Sequence, residues 1–173
     1  MLFLAEDYRG GFQALQDGEL PERPSLYVHA PARLDASLAP AGCDNLIGIV
    51  PVGNLDAYPD EDWQSVRDQA REAIFKRLAS IGIGTVREHI KLEVCYTPCS
   101  WRKRYNLFKG ATHGLSHTLT QLAYMRPHNR HARYRNLYFA GASTHPGTGV
   151  PTALVSARLA AERIMDELGM DQQ

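Results

Sequence analysis

The chain has 173 residues, 44% of them hydrophobic and 22% charged, which is enough for a domain with a real core. No apolar run approaches the roughly 18–20 residues of a membrane-spanning helix, so such a helix is excluded as the basis of function. Net charge is zero but segregated: residues 1–93 hold 15 acids and 9 bases, 94–161 hold 9 bases and no acid, and 162–173 hold 4 acids and 1 base.

The start, MLFLAEDYRG, turns acidic at Glu6 and Asp7. It lacks the basic and long apolar regions of a signal peptide, and none is expected. Residues 2–5 predict a short strand and 8–15 a short helix. DGELPERP, residues 17–24, is turn-rich. Residues 25–30 alternate as a strand, 31–44 form a long polar loop, and 45–52 are apolar enough for a central strand. The long intervening loop predicts an antiparallel or mixed sheet, not a tight hairpin. The clearest helix spans 60–80. Asp60, Glu61 and Asp62 crowd its first turn, and Trp63, Val66, Ala70, Ala73 and Leu78 recur at helical spacing. Residues 90–97 alternate as a further strand, and 100–106 suit a short basic helix. Residues 115–125 are apolar and compatible with helix or strand. Residues 126–131 read as a loop.

The next stretch, NLYFAGASTHPGTGVPTALVSARLAAERI, reads as strand, glycine-rich turn and helix. Residues 137–140 are a short apolar run of the kind a buried strand shows. Gly141, Gly147 and Gly149 punctuate the loop, and Pro151 suits a first helical position because its missing N–H would be unpaired there. Leu154, Ala157, Ala161, Ile164 and Leu168 predict the buried face of the helix, with Arg158, Glu162 and Arg163 off it. Glycines let a backbone approach a ligand closely. A helix N-terminus offers unpaired N–H groups to an oxygen or phosphate. The same spacing also describes an ordinary strand–loop–helix joint, and the residues alone leave both readings open.

Cys43, Cys95 and Cys99 are an odd number, which argues against a disulfide framework and for a reducing compartment such as the cytoplasm. His113, His117, His128, His131 and His145 lack ligand spacing with acids or cysteines, and no metal is expected. Ser116 and Ser143 have no nucleophile-elbow context. Trp101, Tyr105, Phe108 and Tyr124, interleaved with basic residues, suit contact with single-stranded nucleic acid or core aromatics beside a solvated face, and the second is favoured; no nucleic-acid motif accompanies them, and no nucleic acid is expected as a partner. The acid-free stretch suits a bound anion, an anionic membrane surface or the acidic half of the same chain. Arg126, His128 and Arg130 suit either a hydrogen-bonded loop or a site that steadies an anion or a reduced flavin.

LTQLAYMRPHNR, residues 119–130, together with the stretch from Asn136 closely resembles the C-terminal end of the bacterial and fungal-type phytoene desaturase family. These are FAD-dependent carotenoid desaturases of the flavin amine-oxidase-like superfamily. Residues 25–46 and 87–98 resemble the same family, so the resemblance covers nearly the whole chain. GAST-HPGTGVP is its specific element.

The resemblance implies a flavoenzyme that dehydrogenates C–C single bonds of a lipophilic polyene in carotenoid biosynthesis. It places Gly141 and Ala142 beside the ribityl or pyrophosphate part of FAD, and Gly149, Val150 and Pro151 at the isoalloxazine. Catalytic residues are not assigned. The implied fold is a mixed α/β fragment. Residues 1–115 would be part of a substrate-binding domain, and 116–173 the last strand and helix of a Rossmann-like FAD-binding domain.

The family's G-x-G-x-x-G fingerprint for the ADP half of FAD does not occur in the sequence. The resemblance therefore implies the last third of a longer enzyme, with the N-terminal portion as a partner and an isolated chain that is inactive and holds FAD weakly. The lipid-soluble substrate class implies a cytoplasmic protein peripheral to a membrane surface. An inactive remnant, a split subunit, and a related carotenoid isomerase or ketolase are the alternatives.

Overall fold

A computed structural model describes residues 1–58 and 62–170. The chain divides into two compact units, Met1–Tyr105 and Asn106–Gln173.

In the first unit, strands β1 (Leu2–Phe3), β2 (Leu26–His29) and β3 (Ile47–Ile49) form an antiparallel sheet in the order β1-β2-β3. Tyr27 pairs with both Leu2 and Ile49, so these three side chains share one face. All three are exposed. Leu26 and Val28 alternate to the other face and are buried against Ala73 and Leu78 of helix α2 (Trp63–Ser80). The apolar segment 45–52, expected to lie centrally, instead forms the edge strand. Among the described residues only β2 has a strand neighbour on both sides, and Ile47 and Ile49 remain exposed.

Helix α1 (Tyr8–Gln16) begins at Asp7, whose carboxylate accepts from the Gly10 N–H at 2.8 Å. Helix α2 buries Trp63, Val66, Ala73 and Leu78, as its periodicity predicts. Asp60 and Glu61, predicted to open it, lie outside the described residues. Trp63 and Val66 form a second cluster with Tyr58, whose ring meets the Trp63 ring at 5.0 Å and 64°.

The predicted strand at 90–97 is not formed. The segment runs as irregular chain into helix α3 (Pro98–Tyr105), with no ladder partner among the described residues. Side chains fasten it instead. Arg71 of α2 donates to Glu93 through Nε at 2.7 Å and Nη2 at 2.9 Å. The Arg71 and Arg87 guanidinium carbons each lie 4.6 Å from the Phe75 ring centroid, and Arg87 also donates to Glu72 at 2.8 Å.

In the second unit the 115–125 segment is neither a regular helix nor a strand. It contains two short 3-10 turns, Leu119–Gln121 and Ala123–Met125. The strand predicted at 137–140 is reduced to one antiparallel bridge between Arg130 and Tyr138. Helix α4, Val150–Glu167, is the unit's long element. The described fold is thus mixed: helices with a small three-stranded antiparallel sheet. No described helix is long and apolar enough to cross a membrane.

Candidate functional site

Three of the five expected site residues are consecutive at the start of α4. Gly149 caps the helix with φ 110°, a conformation that L side chains rarely adopt. Its carbonyl accepts from the Ala153 N–H at 2.8 Å, closing the first helical turn. Val150 follows, 77% exposed, and its N–H belongs to the first turn, which has no intrahelical acceptor. Pro151 fixes the helical backbone without supplying a donor. The other two expected residues, Gly141 and Ala142, are partly buried. Gly141 has φ 118°, and a Cβ added there would meet nothing within 4 Å, so its surface is open to a close approach.

A buried polar cluster ties these two groups together. The Ser156 side chain in α4 is 0% exposed, and its Oγ accepts from the Gly141 N–H at 3.1 Å. Thr144 Oγ1 lies 2.8 Å from the same Ser156 oxygen and donates to the Gly141 carbonyl at 3.0 Å. Asn129, 1% exposed, places Nδ2 2.9 Å from Ser156 Oγ and 3.1 Å from the carbonyls of both Phe139 and His145. One carboxamide thereby serves the approach to the glycine loop, the loop itself and the helix after it. Asn129, Thr144 and Ser156 are absent from the residues that the sequence singles out. A serine within a helix and an asparagine within a loop have no periodic signature. Their role comes from meeting each other.

The loop at 110–114 backs the site. Gly114 has φ 71°, where an L side chain is strained, and a Cβ there would lie 3.2 Å from the Ala142 carbonyl, so glycine suits this close approach. Thr148 Oγ1 donates to the His113 carbonyl. The three residues of the 126–130 loop separate. Arg126 is buried, and its Nη1 donates to the Ala142 carbonyl at 2.6 Å. His128 is exposed. Arg130 turns to the far end of α4, where Nε lies 2.7 Å from Glu167 Oε1. The Tyr138 hydroxyl donates to the other Glu167 oxygen at 2.7 Å, and that hydrogen bond raises the phenol's pKa.

Helix α4 also turns a different face inward from the one its pattern predicts. Of that face Leu154, Ala157, Ala161 and Leu168 are exposed and Ile164 is partly buried, whereas Ser156 and Ala160 are buried. The reason is the polar cluster: Ser156 must face Asn129, Thr144 and Gly141, and this rotation carries the apolar stripe outward.

Residues 19–165 match the family described as flavin containing amine oxidoreductase. The chain belongs to that family. Among curated relatives of this flavin family, it is 46% identical over 160 residues to the zeta-carotene-forming phytoene desaturase of Myxococcus xanthus, covering 92% of this chain and 31% of that protein. It is 39% identical over 169 residues to the phytoene desaturase of Neurospora crassa, covering 96% of this chain and 28% of that protein. It is 36% identical over 170 residues to the 4,4'-diapophytoene desaturase (4,4'-diaponeurosporene-forming) of Staphylococcus aureus, covering 96% of this chain and 34% of that protein. The chain thus spans about a third of the length of the curated relatives it matches. The resemblance to phytoene desaturases extends over most of the chain, and membership of the flavin family implies a flavin cofactor.

Proposed function

We propose that this chain forms the flavin-ring end of the active site in an FAD-dependent carotenoid desaturase. The observation that carries this reading is the exposed start of α4, capped by Gly149 and braced from behind by Ser156 and Asn129. The Val150 N–H, in the first turn of α4, would donate to a flavin carbonyl. The positive end of the helix dipole favours the electron density that the ring gains on reduction. Gly141 and Ala142 let the backbone approach the ribityl or pyrophosphate part. When bound, FAD would accept the hydrogens removed from the polyene; the protein supplies placement, dryness and electrostatics.

In this reading residues 1–115 belong to the substrate-binding domain. The exposed row Leu2, Tyr27 and Ile49 suits an apolar substrate. Residues 116–173 belong to a Rossmann-like FAD-binding domain. The remaining portion of a desaturase-length protein, in the same polypeptide or as a partner chain, holds the ADP half of FAD. It also covers the outward stripe of α4, where Leu154 is 68% and Leu168 is 67% exposed. A lipid-soluble substrate places the assembly at the periphery of a membrane on its cytoplasmic side.

Flavin titration tests the reading. The chain alone should bind FAD more weakly than about 1 μM, because much of the affinity comes from the ADP half. A chimera carrying this chain in place of the matching segment of the Myxococcus xanthus relative should retain flavin and desaturate phytoene. A chimera that folds and holds flavin yet leaves phytoene unchanged would count against a desaturase.

A further inference from the structure

Arg126 is 2% exposed, and no ion pair joins it to a carboxylate among the described residues. Its Nη1 donates to the Ala142 carbonyl at 2.6 Å and its Nη2 to the Leu115 carbonyl at 3.1 Å. Nε is buried with no hydrogen-bond partner among the described residues. That edge faces the glycine loop: a Cβ added at Gly147 would lie 3.8 Å from Nε. The surrounding sequence is the acid-free stretch 94–161. Of the described acids in this unit, Glu162 pairs with Arg158, Glu167 pairs with Arg130, and Asp166 is exposed.

Burying a guanidinium against neutral carbonyls alone is costly, because charge loses its hydration and gains little in return. A site that keeps such a charge is stabilised whenever negative charge forms nearby, and the low local dielectric strengthens that attraction.

We propose that Arg126 is the buried countercharge for the negative charge that the flavin ring acquires on reduction. This rests on the flavin placement proposed above. In the desaturation that this reading implies, a C–H bond of the polyene would break and its hydride, two electrons with one proton, would pass to the oxidised flavin. A second C–H bond breaks, its electron pair becomes the new C=C bond, and its proton leaves to water. The flavin is left with one added negative charge. Being 2% exposed, Arg126 would act as a positioning and electrostatic residue through the Ala142 backbone and across the loop.

The test uses the flavin-loaded chimera and the midpoint potential of its flavin. Arg126→Met removes the charge and should move the oxidised–reduced equilibrium about tenfold towards the oxidised form, roughly 30 mV for a two-electron couple. Arg126→Lys keeps the charge but loses the forked geometry, and its equilibrium should stay within about threefold of the parent. Flavin-loaded Arg126→Met with an unchanged potential would overturn the proposal. So would Arg126→Lys shifting the potential as far as the full tenfold, because the effect would then be one of geometry. If Arg126→Met does not fold, Arg126→Gln, which also removes the charge, is read by the same tenfold criterion. Gly149→Val, measured in parallel, separates this proposal from the one beneath it. Normal flavin content in Gly149→Val removes the flavin placement itself. Flavin lost from Gly149→Val, with the potential of Arg126→Met unchanged, removes only the role of Arg126.

Discussion

Asn129 Nδ2 sits 2.9 Å from Ser156 Oγ, with Asn129 1% and Ser156 0% exposed, although 27 positions separate them. The pair joins the loop before the bridge segment to the middle of α4. It fixes where the helix begins relative to Gly141, and hence where the Val150 N–H lies. A buried pair of this kind stabilises modestly while both members are present and costs more when one is removed.

Ser156→Ala should therefore destabilise the protein by about 1–3 kcal/mol, because Asn129, Thr144 and the Gly141 N–H each lose a buried partner. Urea unfolding measures this. A loss within error of zero would mean that the cluster does not hold the loop.

The rotation of α4 gives a sharper contrast. Leu154→Gln on the outward stripe should change stability by less than about 0.5 kcal/mol in the isolated chain. Ala160→Gln should cost more, since Ala160 is 7% exposed and the added amide would be buried without a partner. The reverse order in thermal melts would restore the helix face that periodicity predicts.

Gly149→Val places a β-branched residue at φ 110°, and its Cβ would sit 3.3 Å from Thr152 Oγ1. The strain is on the order of 1–3 kcal/mol and falls where the flavin ring is proposed to lie. Flavin content of the purified chimera should drop strongly, read from absorbance per protein.

Removal of Leu26 tests the core of the first unit. Leu26 is 1% exposed between the sheet and α2, so Leu26→Ala should cost about 2–5 kcal/mol through lost burial and a cavity. Chemical denaturation reports it, and a cost below that range would mean that the sheet closes over the gap.

Two ion pairs on α2 give the pH dependence. Hydrogen bonds from Arg71 to Glu93 and from Arg87 to Glu72 hold both carboxyls below the ordinary glutamate range. A depressed folded-state value means that the contribution is present above the unfolded value, about 4.3, and is lost as pH falls through the folded one. Both pairs are substantially exposed, so salt weakens them. The urea midpoint should fall on acidification below about pH 4.3, and Glu93→Gln should flatten that fall. An identical pH profile in the variant would show that the Arg71 pair contributes nothing measurable.

The sequence by itself determined the local elements whose causes are local. Helix α2 follows from its apolar spacing. The start of α4 follows from Pro151, which suits a first helical turn whatever surrounds it. The flavin family was legible in GAST-HPGTGVP. Residues 90–97 and 137–140 also carried the composition of strands, but a strand needs a neighbour for its backbone groups. In this structure the first is fastened by Arg71 instead, and the second finds one bridge at Arg130. The inward face of α4 was decided only in three dimensions. Its apolar stripe and its serine point different ways. The serine turns inward because Asn129, Thr144 and the Gly141 N–H converge on it, and each would otherwise lose one hydrogen-bond partner.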